Sequence, residues 1–227
     1  MKKLLALFTA MVLTASVFAV DLTLGARGSL NLSLGTTCEI YEDGADIKTF
    51  GVGAGGGVYA NIGIINTPVK LGIQPEVNIN YNYLYSYDNT LTMPLVGTWV
   101  VSQKVSMVTM DIPLLVTLDM PINDMFELGF GIGPQISFPF GVKYDASSTV
   151  SGNTSSSSDT YNSRPNFGMA FDVNGKFKLG KAKKFAIVAD LRYNLDFTKT
   201  AATANNTTTE IATRRGLNIG VGCEYSF

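Results

Sequence analysis

Apolar and polar residues alternate along most of this chain, in eight successive stretches. Leu22, Leu24, Ala26, Leu30, Leu32 and Leu34 are separated by Thr23, Arg27, Ser29, Asn31 and Ser33. Phe50, Val52, Ala54, Val58, Ala60 and Ile62 alternate with Gly51, Gly53, Gly55, Gly57, Tyr59 and Asn61. Val69, Leu71, Ile73, Val77, Ile79, Tyr81, Tyr83 and Tyr85 stand against Lys70, Gln74, Glu76, Asn78, Asn80 and Asn82. Val108 to Leu118 oppose Thr109, Asp111, Thr117 and Asp119. Phe126 to Val142 oppose Glu127, Gln135, Ser137 and Lys143. Phe167 to Leu179 oppose Asn166, Asp172, Asn174 and Lys176; Phe185 to Phe197 oppose Asp190, Arg192, Asn194 and Asp196. The last stretch sets Leu217, Ile219, Val221, Cys223, Tyr225 and Phe227 against Asn218, Gly220, Gly222, Glu224 and Ser226. Period two over such lengths predicts strands, each with one apolar and one polar face. Their connections alternate too. Residues 64–68, 120–124 and 180–184 are short turns, while 36–49, 86–99, 145–163 and 198–214 are long and polar. Eight antiparallel strands joined this way carry every short turn on one rim and every long loop on the other.

Which solvent meets the apolar face depends on the rest of the chain. Lys2 and Lys3 precede the apolar run LLALFTAMVLTASVFA, which ends in the small-residue pattern Val17-Phe18-Ala19. This predicts a cleaved signal peptide over residues 1–19 and one barrel domain over 20–227. A soluble barrel or sandwich turns its apolar face inward; a membrane barrel turns it to lipid around a polar lumen. Aromatic placement separates the two. Tyr81, Tyr83, Tyr85, Trp99, Phe138, Phe140, Tyr144 and Phe197 fall near the long-loop rim, and Phe126, Phe177, Phe185, Tyr225 and Phe227 near the short-turn rim. Two such belts are what the two membrane interfaces select. Arg27, Lys70, Glu76, Asp111, Glu127, Asp172, Lys176, Asp190, Arg192 and Glu224 all occupy the polar face. In a small barrel that face is the lumen, where buried charges must pair. A network linking Arg27, Glu224, Asp190 and Arg192 is the expected plug.

The pattern resembles the eight-stranded bacterial outer-membrane β-barrel superfamily, of the OmpX, OmpA-transmembrane, OmpW and opacity-protein type. Its terminal strand, ending Tyr225-Ser226-Phe227, is similar to the insertion signal that the outer-membrane assembly machinery reads in that family. The resemblance implies an all-β, transmembrane, up-and-down barrel in outer-membrane lipid, with extracellular long loops and periplasmic termini. It further implies a non-enzymatic scaffold displaying four loops for adhesion or host and envelope contacts. A narrow channel for small or apolar solutes, as in OmpW-like relatives, is the alternative.

Composition narrows the chemistry. With 17 Lys and Arg against 18 Asp and Glu, the formal charge of −1 gives no basic surplus for nucleic acid. The chain has no histidine, the usual proton shuttle at neutral pH and the base of a Ser-His arrangement. Asp190 and Glu224 are conceivable as an acid–base pair, but lumenal ion pairing explains them more simply. GVGAGG (Gly51–Gly56), with Glu76 downstream, imitates a dinucleotide fingerprint, yet alternation continues past it and no helix begins to hold a pyrophosphate. Cys38 and Cys223 fall at opposite ends of the barrel, beyond bridging range. Glu39, Glu42, Asp43 and Asp46 form an acidic loop without EF-hand spacing. The sequons at Asn153, Asn205 and Asn206 mark exposed loops. No catalytic, cofactor or metal residue is assigned.

Overall fold

The computed structural model describes residues 21–34, 46–48, 50–65, 69–93, 97–150, 152–204 and 207–227. The leader, Cys38, Glu39, Glu42, Asp43, Asn205 and Asn206 lie outside them, as do the side chains of Asp46 and Tyr85. The described residues form strands and turns without a helix. In chain order the strands are β1 (Leu22–Ser33), β2 (Asp46–Lys48), β3 (Gly51–Ile65), β4 (Lys70–Met93), β5 (Gly97–Pro121), β6 (Phe126–Val150), β7 (Asn153–Tyr161), β8 (Asn166–Leu179), β9 (Phe185–Asp196), β10 (Thr200–Ala204), β11 (Thr207–Ala212) and β12 (Arg215–Ser226).

Eight of these, β1, β3, β4, β5, β6, β8, β9 and β12, pair antiparallel in chain order. The last returns to the first, from Thr23↔Ser226 to Ser33↔Gly216, and closes the ring. The terminal strand is therefore held on both edges to its end, where Phe227 N–H donates to the Leu22 carbonyl at 3.1 Å. Closure matters because an unpaired strand edge in lipid leaves backbone groups that water cannot satisfy. Side-chain parity places Val116 (52 % exposed), Ile132 and Val221 outside, while Glu76 (1 % exposed), Asp111 and Arg192 are inside. The apolar face is the outer surface and the polar face is the buried core. A one-residue slip would exchange the faces, so the solvent contrast fixes the register.

Two of the four long links are not loops. Pairing of β4 with β5 continues to Met93↔Gly97, and β5 with β6 to Trp99↔Val150. The strand β7 adds along β6 from Val142↔Tyr161 to Val150↔Asn153, and β2 adds to β4 at Asp46↔Asp88. The expected loops 86–99 and 145–163 are thus a projecting sheet of order β2-β4-β5-β6-β7. The link 198–214 holds the separate β10–β11 hairpin. Alternation missed these strands because both faces of the projecting sheet meet water, so neither face selects apolar residues.

Three expected positions change accordingly. Trp99 stands at the tip of the projecting sheet, not at the rim, because the chain runs on as strand; Tyr144 lies in the same extension, opposite Val105. Val142, expected to face lipid, is fully buried. The β5–β6 register shifts between Met107 and Thr109, and Gly141 adopts φ +146°, so parity reverses between Phe140, still exposed, and Val142. The aromatic belts are not exclusive either. Phe130 and Phe171 are partly exposed between the rims, and Phe171 lies 6.5 Å from Tyr193, ring to ring. At the other end the turns are tight. Asn123 Oδ1 accepts the N–H groups of Met125 and Phe126 at 2.8 and 2.9 Å, and Gly180 supplies a positive φ after β8.

Candidate functional site

The lumen is filled by three tiers of charged and amide side chains, each drawn from several strands. Nearest the short turns, Lys176 Nζ on β8 lies 3.0 Å from Asp119 Oδ2 on β5 and 3.4 Å from Glu224 Oε1 on β12. The Tyr59 hydroxyl donates to Glu224 Oε1 at 3.0 Å. Its ring crosses Gly25, where a Cβ would stand 2.2 Å from the ring, so only glycine admits it. At the rim, Lys70 Nζ meets Glu127 Oε1 at 2.6 Å, and Lys178 pairs with the same oxygen.

Glu76 centres the middle tier. Arg192 grips it with both terminal nitrogens, one at 2.8 Å from Oε1, while its Nε donates to Asp172 Oδ1 at 3.0 Å. Arg27 pairs with the same Glu76 carboxylate and lies 3.8 Å from Asp190 Oδ2. Gln74 and Asn78 complete the shell at 2.7 and 3.0 Å. Two guanidiniums face the Glu76 carboxylate and its neighbour Asp172, so the buried charge there is paired and hydrogen-bonded, while Asp190 Oδ1 has no hydrogen-bond partner among the described residues.

Arg214 holds the upper tier. Its guanidinium donates to Asp111 Oδ2 at 2.9 Å, Asp196 Oδ2 at 3.1 Å, Thr109 Oγ1 at 3.1 Å and Ser137 Oγ at 2.6 Å. Asn80 and Asn166 bind the same two carboxylates at 2.7 and 3.4 Å. Arg214 joins β5, β6 and β9 across the lumen from the connection just before β12.

The structure places Arg27, Glu76, Asp172, Asp190 and Arg192 together, Lys176, Glu224, Glu127 and Lys70 below them, and Asp111 above. Glu224 does not join Arg27, Asp190 and Arg192 as expected. It stands opposite Gly25 and Ala186, while Asp190 stands opposite Gly220, higher on the same pair of strands. This separation also removes the Asp190–Glu224 acid–base pair. Sequence reasoning missed Arg214 and Gly25; it set Tyr59 on the inward face, where it is buried, without its Glu224 partner. A signal for Arg214 exists: carrying period two back from Glu224 through Asn218 and Gly216 puts Arg214 on the inward side. GVGAGG forms the first six residues of β3, and Gly55 and Gly57 lie against the side chains of Asn80 and Asn78. Among the described residues no group of three His, Cys, Asp or Glu side chains is arranged to hold a metal. Cys223 is a free, exposed residue on the outer face.

The second candidate is the projecting sheet. Ser102 Oγ donates to Asp88 Oδ1 at 2.6 Å, Trp99 Nε1 to Ser148 Oγ at 2.6 Å, and Thr149 and Thr154 hydroxyls meet at 2.8 Å. The outer strand β7, NTSSSSDTY, is exposed from Asn153 to Thr160. It pairs with β6 on one edge, and among the described residues no strand is paired to the other. At the opposite end of the molecule, a hydrogen bond from Lys183 holds the exposed Asp124 carboxyl below its ordinary value and ties two turns together.

A family model described as an outer membrane protein beta-barrel domain matches residues 4–227. No curated protein matches the sequence. Among solved structures, the outer membrane protein OprG from Pseudomonas aeruginosa is 13 % identical, covers 92 % of this chain and 96 % of its own, and superposes with a TM-score of 0.51. Neisserial surface protein A is 14 % identical over 91 % of this chain and 97 % of its own, with a TM-score of 0.42. Ail, the attachment invasion locus protein of Yersinia pestis, is 12 % identical over 91 % and 99 %, with a TM-score of 0.35. The likeness to OprG extends to the fold alone.

Proposed function

Since the chain belongs to the outer membrane protein beta-barrel family and is a bacterial outer-membrane protein, we propose that it is a non-enzymatic display scaffold. In this reading a plugged barrel holds the β2-β4-β5-β6-β7 sheet outside the cell. The three tiers of cross-lumen ion pairs carry it. Between the middle and upper tiers lies a void of about 10 Å³, room for about one water. The long loops face outward and both termini the periplasm. The exposed β7 edge receives an extended segment of a partner by strand addition, for which its bare N–H and C=O groups supply the bonds. No lysine or proline guards it between Asn153 and Tyr161, although exposed edges commonly carry such guards. Wild-type protein in planar bilayers should show no steady conductance. Proline at Ser156 and at Ser157 in separate variants samples both edges of β7, because N–H direction alternates along a strand; the one that removes a free-edge donor should weaken whole-cell binding to a surface ligand while heat-modifiable gel mobility stays unchanged. Sustained wild-type conductance would sink the plugged scaffold.

The alternative is a narrow conduit for small or apolar solutes. It is favoured by the β3–β4 seam, where ladder pairing among the described residues stops at Gly55↔Asn80 although both strands continue.

Residues 1–19 serve as the signal peptide, removed after Ala19, and Tyr225 and Phe227 on the closing strand present the signal to the assembly machinery. The motive is the register: β12 completes the ring, so insertion must wait for it. Deleting Phe227 should leave the chain exported but unassembled. A heat-modifiable barrel at normal abundance in the outer membrane would refute this.

A further inference from the structure

We propose that the free edge of β7 pairs antiparallel with β7 of a second copy of this chain standing in an opposed membrane, so that the projecting sheets of two membranes join. Self-pairing rests on the display reading of that edge and supplies its partner. Strand direction selects the arrangement. β6 runs from the short-turn end at Phe126 to the tip of the projecting sheet at Val150, and β7 returns beside it from Asn153 at the tip to Tyr161. Every copy in one membrane therefore runs its β7 toward that membrane, and neighbours within it present their edges parallel. A copy in a facing membrane presents its edge antiparallel. Antiparallel pairing of identical strands is an isologous two-fold contact, in which each unlike pair of residues occurs twice.

Charge separates the two arrangements. β7 is nine residues long, NTSSSSDTY, exposed from Asn153 to Thr160, and Asp159 is its one charged side chain. The antiparallel register that uses the whole strand turns about Ser157. It sets Ser156 opposite Ser158, Thr154 opposite Thr160, Asn153 opposite Tyr161 and Ser155 opposite Asp159. Each Asp159 carboxylate then accepts from a Ser155 hydroxyl of the other copy on the same face of the sheet. Cross-strand hydroxyl pairs and charge-assisted hydrogen bonds of this kind favour pairing. The symmetric parallel arrangement instead brings Asp159 beside Asp159 at the strand spacing of about 4.8 Å, where like charges repel. The neighbouring β10–β11 hairpin pairs with itself, and among the described residues no strand takes the β7 edge.

The test uses the full barrel in phospholipid vesicles, in donor- and acceptor-labelled populations whose tethering is read by energy transfer between the lipid dyes. Wild-type vesicles should tether to one another and not to protein-free vesicles. Ser155→Asp sets carboxylate against carboxylate in both symmetric pairs, and the double change Ser155→Lys with Asp159→Lys sets lysine against lysine. Each variant should tether to its own kind at least about tenfold less than wild type. Mixed together, the two should regain tethering, because each aspartate then meets a lysine. Gel mobility before and after heating checks that each variant is folded. Equal tethering to protein-free vesicles would mean a lipid-binding sheet. Energy transfer between labelled proteins of one vesicle, without tethering, would mean a parallel edge within one membrane. Either result, or tethering indifferent to these charges, overturns self-pairing. Absence of any tethering overturns it too; a proline effect on whole-cell binding then leaves strand addition from another partner standing, and no proline effect removes that reading as well.

Discussion

The strands β4, β5 and β6 each pass through two environments, and the same backbone ladder carries opposite side-chain rules in each. Along the barrel, β5 sets Val116 outward and Asp111 inward, a contrast of 52 % against 2 % exposure. In the projecting sheet the same strand reads Thr98, Trp99, Val100, Val101 and Ser102, with no such sorting. Backbone pairing is common to both, from Lys70↔Asp119 up to Met93↔Gly97. Hydrogen bonding therefore builds the strand, and the difference between lipid and lumen writes the alternation. Stabilisation differs as well. The barrel is tied across its interior by Glu76, Arg192 and Arg214, whereas the projecting sheet relies on neighbouring hydroxyls and amides that water can replace.

The sharpest test removes the hub of the interior. Glu76→Ala strips the carboxylate from two buried guanidiniums, Arg27 and Arg192, and should cost about 3–5 kcal/mol in urea unfolding from lipid vesicles. A loss comparable to that of an exposed pair would mean that the tiers do not hold the barrel. A smaller effect is expected on the outer face, where Val116→Arg puts a charge near mid-membrane and should cost about 2–4 kcal/mol. The matched change Val100→Arg, on β5 in the projecting sheet, should stay within about 0.5 kcal/mol. Equal costs at the two positions would abolish the distinction drawn between the regions.

The barrel was legible because its strands separate two solvents. Leu217 to Phe227 shows this most plainly, with an apolar residue at every odd position and none at the even ones. The ten lumenal charges could be assigned to one face by the same parity, since burial of ionisable groups is tolerated only where they meet opposite charges. The segment SSTVSGNTSSSSDTYNS was not legible. Water on both sides leaves no pattern, so the pairing of β6 with β7 is invisible until the chain is folded. Arg214 was obscured for a related reason: it lies between an unsorted hairpin and a sorted strand.

By itself, the amino-acid order determined that this chain makes eight amphipathic barrel strands, which face meets lipid, and that the core is ionic. Partnership within that core was decided only in three dimensions. Glu224 binds Lys176 and Tyr59, not Arg27, because the β1–β12 register sets it beside Gly25 and the Tyr59 ring fills the room that glycine leaves. The cavity at the short-turn mouth likewise depends on side chains from β4, β5, β6, β8 and β12 meeting at one end of the ring. Periodicity specifies the side of a strand on which a residue stands. It carries no information about height across the ring, which strand stagger and bulges set, and ionic interactions at a few ångströms depend on that height.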